Sequence, residues 1–303
     1  MLTQEQRLIM LECPKQQIDM VLDTDAYNEI DDQFAISIAV RAKNKLNLKA
    51  LYAAPFFNSR SSSPADGMKK SYDEIKKLLN LAGCNYPVFK GAESYLCDEN
   101  TPVVTDASKD LAERARNYGA DHPLYVVAIG AITNIASALL LAPEIADSIV
   151  VVWLGGNSLD WPDNKEFNCM QDVAAARVVF NSSAPLVILP CMGVVSAFTT
   201  TEPELKFWLS GKNELCDYLV EHTIEAANEY AKGQIWSRVI WDVTAIGWLF
   251  NDNNKLMLDK LIPTPIPEYD HHYSFDFRRP LCRYVYHINR DALFSSLVRS
   301  LST

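Results

Sequence analysis

The chain has 303 residues, 49% of them hydrophobic, and a formal net charge of −10, which allows a sizeable core and excludes a phosphate backbone or an anionic membrane surface as partner, since both need clustered Lys or Arg. Small neutral or cationic ligands fit better, with no nucleic acid and no membrane. Seven widely spread cysteines without a Cys-x-x-Cys argue against a disulfide framework or a zinc knuckle, and with no membrane-length apolar run and no N-terminal leader pattern the expected location is the cytoplasm.

Thr3 with Gln6 makes a capping box for a short first helix that Leu8, Ile9 and Leu11 anchor. The apolar run Ile18, Met20, Val21 and Leu22 reads as a buried strand, and Phe34, Ile36, Ile38 and Val40 mark an apolar-periodic segment after it. Leu46 to Pro55 is a second strand. Residues 64 to 82 show helical spacing (Met68, Tyr72, Ile75, Leu78, Leu79) and stop at Gly83. Pro87 to Lys90 is a short strand, followed by a helix from Asp106 to Tyr118, a strand from Leu124 to Ile129 and a helix from Ile132 to Leu141 closed by Pro143. Ile149 to Leu154 is strand, Asp172 opens a helix, and Leu186 to Leu189 is strand. From Glu202 to about Lys232 the pattern is helical, a natural place for helices that lean over a site. The tail gives two strand-like segments, His272 to Phe277 and Arg283 to His287, then a helix from Asp291 to Leu301. No linker, repeat or low-complexity tract interrupts it. The expectation is one α/β domain over residues 1–303, with a mainly parallel Rossmann-like sheet and helices on both faces.

The chemistry concentrates between the first strand and its helix, where Asp23, Asp25, Glu29, Asp31 and Asp32 fall within ten residues. Five carboxylates there repel one another unless a cation sits among them, and the crevice beyond strand carboxyl ends is where open α/β sheets bind ligands. A solvated acidic turn that caps the next helix is the alternative. Further polar loops follow the other strands: the Asn58 loop, the turn after Ile129, the Gly156 to Asn168 loop, and Trp241-Asp242 at a helix start. Carboxylates, amides and a main-chain carbonyl converging there would form an oxygen-only calcium or magnesium cage with room for water, which suits hydrolysis. Glu166 and Asn168, two apart, point the same way if the segment is extended. Weaker candidates are His222, Asn228, Tyr230 and Gln234 on the helical stretch, Trp236 and Trp241 as a sandwich for an aromatic ring, and His271-His272 with His287 as a metal patch without a third ligand at recognisable spacing.

Asp23-Thr24-Asp25 with Asp31-Asp32, Ile129-Gly130-Ala131-Ile132-Thr133-Asn134, Gly155-Gly156, Glu166-Phe167-Asn168 with Asp172, and Asp242 occur in that order over nearly the whole chain. In these marks the chain resembles the nucleoside hydrolase family, the calcium-dependent N-ribohydrolases that split nucleosides into base and ribose. The resemblance implies that Asp25 both ligates Ca2+ and acts as general base toward a metal-bound water. It implies Asp32, Asp242 and the main-chain carbonyl of Ile129 as further ligands. Asp31, Asn58, Glu166 and Asn168 would hold the ribose hydroxyls, and Trp241 would meet the base. It also implies a homo-oligomer, dimer or tetramer, serving purine/pyrimidine salvage.

Three departures bear on this, one being that the His-Gly often found after the family's third strand is not apparent near Tyr95 to Val103. Ala26-Tyr27-Asn28-Glu29-Ile30 makes the acidic loop two residues longer than the family's Pro-Gly form, which brings Tyr27, Asn28 or Glu29 toward the ribose pocket. Trp241 stands where a well-studied subset has a His acting as acid toward the departing base, so leaving-group activation must come from stacking, from another acid, or from a leaving group that needs none. A ribosyl-ligand-binding relative with weak or lost catalysis, or a hydrolase of another N-ribosyl compound, are the alternatives.

Overall fold

The alternation read from the sequence is realised as α1 (Gln4–Met10), β1 (Ile18–Thr24), α2 (Asp31–Arg41), β2 (Leu46–Ala53), α3 (Pro64–Leu81), β3 (Val88–Lys90), α4 (Asp106–Ala115), β4 (Leu124–Ala128), α5 (Thr133–Leu141), β5 (Ile149–Leu154), α6 (Phe167–Gln171), α7 (Val173–Asn181) and β6 (Leu186–Leu189). The second half adds β7 (Thr199–Thr200), α8 (Glu202–Leu209), α9 (Glu214–Ala231), β8 (Arg238–Val239), α10 (Val243–Trp248), β9 (Met257–Pro263), β10 (Ile266–Pro267), β11 (Tyr273–Ser274), β12 (Leu281–Ile288) and α11 (Arg290–Leu301). The computed structural model describes residues 2–302, so Met1 and Thr303, the ends of the expected 1–303 domain, lie outside it.

Eight strands form one sheet in the order β3-β2-β1-β4-β5-β6-β12-β9. All neighbours pair in parallel except β12 with β9. Strands β4, β5 and β6 are unbroken apolar runs because both their faces are covered. Alternation along β1 divides the core: Met20 and Leu22 pack with Phe34, Trp248 and Leu293 of α2, α10 and α11, while Val21 packs on the other face with Leu111, Ile135 and Ala175 of α4, α5 and α7. The capping box of Thr3 with Gln6 is present at α1.

Four details differ from the sequence reading. The helical stretch after Glu202 is broken between α8 and α9, where Gly211 takes a positive φ of 72° that suits glycine. Strand β9 was not expected, since its half-exposed residues make no buried apolar run. The segment from His272 to Phe277 yields only β11, which pairs antiparallel with β10 away from the main sheet; Phe275 and Phe277 are exposed and have no strand to join. Residues 166–168 are not extended, because the Glu166 carboxylate accepts from the Asn168 and Cys169 N–H groups (2.9 and 3.0 Å) and starts α6.

Candidate active site

The carboxyl ends of β1, β2, β4, β5 and β6 lie along one edge of the sheet, and the loops they release enclose a cavity of about 300 Å³. Strand β1 brings Asp25 to this edge, and α2 starts there with Asp31 and Asp32 in its first turn, where the helix end favours negative charge. The N-cap of α10 supplies Asp242. One carboxylate oxygen from each of Asp31, Asp32 and Asp242 lies within 4.8 Å of the others. Among the described residues this is the group of three or more His, Cys, Asp or Glu able to hold a metal, and the patch of His271, His272 and His287 does not form one.

Asp25, Asp31, Asp32 and Asp242 are all at least 96% buried. Burial, and then the other carboxylates, pushes Asp25, Asp32 and Asp242 well above the usual carboxylate range. Asp31 rises to about 7, by burial first and the Glu29 charge next, with Arg238 opposing. Among the described residues no Lys or Arg forms an ion pair with any of the four. The donor set is oxygen only, it is held dry, and among the described residues no cation pairs with it directly. These residues therefore fit a hard cation, whose ligands would be carboxylate and carbonyl oxygens.

The residues that the family resemblance assigns to the site all line this cavity: Asp25, Asp31, Asp32, Asn58, Ile129, Glu166, Asn168, Trp241 and Asp242. Asn168 Nδ2 donates to the carbonyls of Ile129 (3.2 Å) and Leu154 (3.0 Å), tying the ends of β4 and β5 together. Glu166 accepts a third backbone N–H, from Gly156 (2.8 Å), so backbone donors order the loop around its buried carboxylate. The helical-stretch candidates do not reach the cavity. Asn228 accepts from Trp236 Nε1, Tyr230 is 75% exposed, and His222 lines a neighbouring cleft with Glu74 and Tyr218. Trp236 is outside the cavity as well, so Trp241 has no indole partner there.

The longer acidic loop brings two of its three expected residues to the pocket. Tyr27 takes a positive φ of 83° and turns into the neighbouring cleft, while Asn28 and Glu29 face the main cavity. Glu29 pairs with Arg238, which fastens this loop to the segment after α9. Cys191 and Met192, Leu154, Lys165 and Phe167 complete the lining and were missed. The rule of strand carboxyl ends applies to Cys191, which follows β6, and would have found it.

Behind the cavity, Asn134 joins three strand ends. Its Nδ2 donates to Asp23 Oδ1 (2.7 Å) and to the Ala53 carbonyl (3.3 Å), and its Oδ1 accepts from Ala92 N (2.8 Å). Gly91 is required beside it, because a Cβ there would lie 2.1 Å from the Ala53 carbonyl oxygen. Asp172 similarly accepts from Leu96 N, Thr133 Oγ1 and Ala175 N.

An open, mainly parallel sheet with an acidic cavity beyond its strand ends is the class of α/β protein that fold and site define. The family model for inosine-uridine preferring nucleoside hydrolase matches residues 20–283. The chain belongs to that family and is a ribonucleoside N-ribohydrolase. It is 25% identical over 261 residues to the pyrimidine-specific ribonucleoside hydrolase RihA of Escherichia coli O1:K1, covering 77% of this chain and 79% of the relative. In fold it is similar to the plant nucleoside hydrolase PpNRh1, with a TM-score of 0.75 and 19% identity over 94% of this chain and 99% of that one. It is also similar in fold to the type III effector protein XopQ, solved with adenosine diphosphate ribose, with a TM-score of 0.71 and 16% identity over 98% of this chain and 96% of the other.

Proposed function

We propose that the chain hydrolyses the N-glycosidic bond of ribonucleosides to free base and ribose in a calcium-dependent reaction, with Asp25 as general base. The observation that carries this is the convergence of Asp25, Asp31, Asp32 and Asp242 with Asn58, Glu166 and Asn168 on one cavity of about 300 Å³. A nucleoside-sized ligand is matched there by groups for both its sugar and the attacking water. Calcium held by Asp25, Asp32, Asp242 and the Ile129 carbonyl would neutralise the cluster and make a nearby water more acidic.

Asp25 takes the proton of the attacking water. The water oxygen bonds to C1′, the C1′–N bond breaks, and its electron pair leaves with the base. Asp31, Asn58, Glu166 and Asn168 hold the ribose hydroxyls. Glu166 accepts three backbone N–H groups, which fix the carboxylate that would meet a ribose hydroxyl. These contacts fix the sugar and favour positive charge developing at C1′. Trp241 offers a face to the base and no useful proton.

Trp241 also favours a second reading, in which the ribosyl cage is kept for binding and turnover is weak, or the substrate is another N-ribosyl compound. The test is release of reducing sugar from a panel of ribonucleosides, by protein stripped with a chelator and then resupplied with calcium or magnesium. Calcium-restored release supports the first reading. Tight ribonucleoside binding without release supports the second.

A further inference from the structure

The loop from β1 to α2 carries a residue whose contacts point back at the base. Asn28 Nδ2 lies 3.2 Å from Asp25 Oδ2, and Asn58 Nδ2 lies 2.5 Å from Asn28 Oδ1. The nitrogen and oxygen of an Asn amide are hard to tell apart by shape. Here the far end of the chain resolves them. The backbone N–H of Arg60, which can only donate, lies 2.8 Å from Asn58 Oδ1. Asn58 must therefore present its NH2 to Asn28, and Asn28 must present its NH2 to Asp25.

Asn58 is itself held, since its N–H donates to Ser61 Oγ (3.2 Å), which donates to the Phe56 carbonyl (3.0 Å). On the other side, Tyr27 adopts its positive φ, a conformation that costs a non-glycine residue about 1 kcal/mol. That backbone turn sends the Tyr27 side chain outward and leaves Asn28 facing Asp25, about nine-tenths buried.

We propose that Asn28 is a positioning residue for Asp25, the last member of a relay from Arg60 N–H through Asn58 and Asn28 that aims an N–H donor at one carboxylate oxygen and fixes the carboxylate plane. The two extra residues of the loop thus become part of the machinery. The inference rests on the reading of Asp25 as base. It gives Asn58 an effect on turnover that does not pass through the ribose.

The experiment compares N28A, N28D, N58D and N28A/N58D on a natural ribonucleoside and on nitrophenyl riboside. N28A lowers kcat by about 10- to 100-fold, the usual size for the loss of a group that orients a reacting one, with KM within about two-fold in this assay. Both substrates lose the same factor, because both need the activated water. N28D keeps the shape but presents only oxygen to Asp25, and loses at least as much; it gives the answer if N28A does not fold. In N58D the carboxylate accepts from Arg60 N–H and from Asn28, which reverses the Asn28 amide, so kcat falls although residue 58 does not touch Asp25. N28A/N58D falls no further than about three-fold below N28A, since coupled residues are not additive.

A readout without turnover comes from 15N-labelled, metal-stripped protein. The Asn28 side-chain NH2 resonance, assigned by its loss in N28A, shifts in both D25N and N58D. Losses that multiply in the double variant, a change confined to KM in N58D, or an N28A kcat within two-fold of wild type would overturn the relay. If D25N keeps wild-type turnover, the base assignment itself fails; if D25N is dead and N28A stays within two-fold of wild type, only the relay fails.

Discussion

Replacing Asn134 by Ala removes one side chain and disconnects the ends of three strands. Ala92 N–H loses its acceptor at 2.8 Å, the Ala53 carbonyl a weaker donor at 3.3 Å, and Asp23 the donor at 2.7 Å. Asp23 has no second source of support, because its Oδ2 is buried without a partner among the described residues. An orphaned buried N–H costs about 1–3 kcal/mol and each lost bond about 1 kcal/mol, so the expected loss is about 3 kcal/mol with Asp23 neutral. Burial raises Asp23 to about 7, with Asn134 opposing.

The pH dependence follows with a definite sign. A carboxyl whose folded value lies above its unfolded value, near 4, leaves the fold most stable below about 4 and takes stability away as the pH rises through about 7. Without Asn134 the folded value climbs further, so the penalty of the variant grows at high pH. At pH 5 the loss is about 3 kcal/mol, and at pH 8 it is about 4 kcal/mol, the added part being one charge-assisted bond. Urea unfolding at the two pH values, with m compared between wild type and variant, measures both numbers. A loss under about 1 kcal/mol at either pH, or a larger loss at pH 5 than at pH 8, refutes the reasoning, which takes an orphaned N–H to cost at least that much.

Asp25→Ala removes the base and a ligand together, and is expected to lower kcat by about 10³-fold or more while nucleoside binding persists; burst and steady-state release of reducing sugar checks this. Ribonucleosides lacking the 2′ or 3′ hydroxyl should react about 10²- to 10⁴-fold more slowly, because buried partners around Glu166 and Asn168 are left unpaired. Equal kcat/KM for ribo and deoxyribo substrates would remove both residues from the sugar site. With Trp241 stacking the base and no acid beside it, nitrophenyl riboside should outrun natural nucleosides, and purines should lead pyrimidines. Fast uridine cleavage with a bell-shaped pH profile that is lost in H222A or Y230F would instead locate a proton donor on α9.

The residues of the cavity were legible because their chemistry depends on position along the chain in a simple way. In a parallel sheet each strand releases its loop at the same edge, so residues of the loops after Thr24, Ala53, Ala128 and Leu154 come close in space however far apart they are in sequence. Asp25, Asn58, Ile129, Glu166 and Asn168 obey that rule. Asn28 obeys it in place as well, but its contact with Asp25 depends on which way Tyr27 turns the backbone, and a positive φ at a tyrosine has no sequence signature. The helix α6 was hidden for a related reason: its first turn is organised by the Glu166 carboxylate, which the sequence offers equally well as a ligand for sugar.

Strand β9 shows how an element outside the expected pattern still bears on the site. Its Asp259 is nearly buried, and its two oxygens hold Arg283 Nη1 of β12 (2.9 Å) and Trp248 Nε1 at the end of α10 (3.0 Å). Breaking a buried pair of this kind is costly because it strands the partner charge. The indole of Trp248 is fully buried among the helices on that face, so the bond fixes the far end of α10 against the sheet. The near end of the same short helix is Asp242. An edge strand that carries no catalytic group thereby anchors the short helix whose N-cap is Asp242, and Asp259→Asn, a change remote from the cavity, is expected to weaken calcium binding in calorimetric titration of the stripped protein, an unchanged affinity refuting the link.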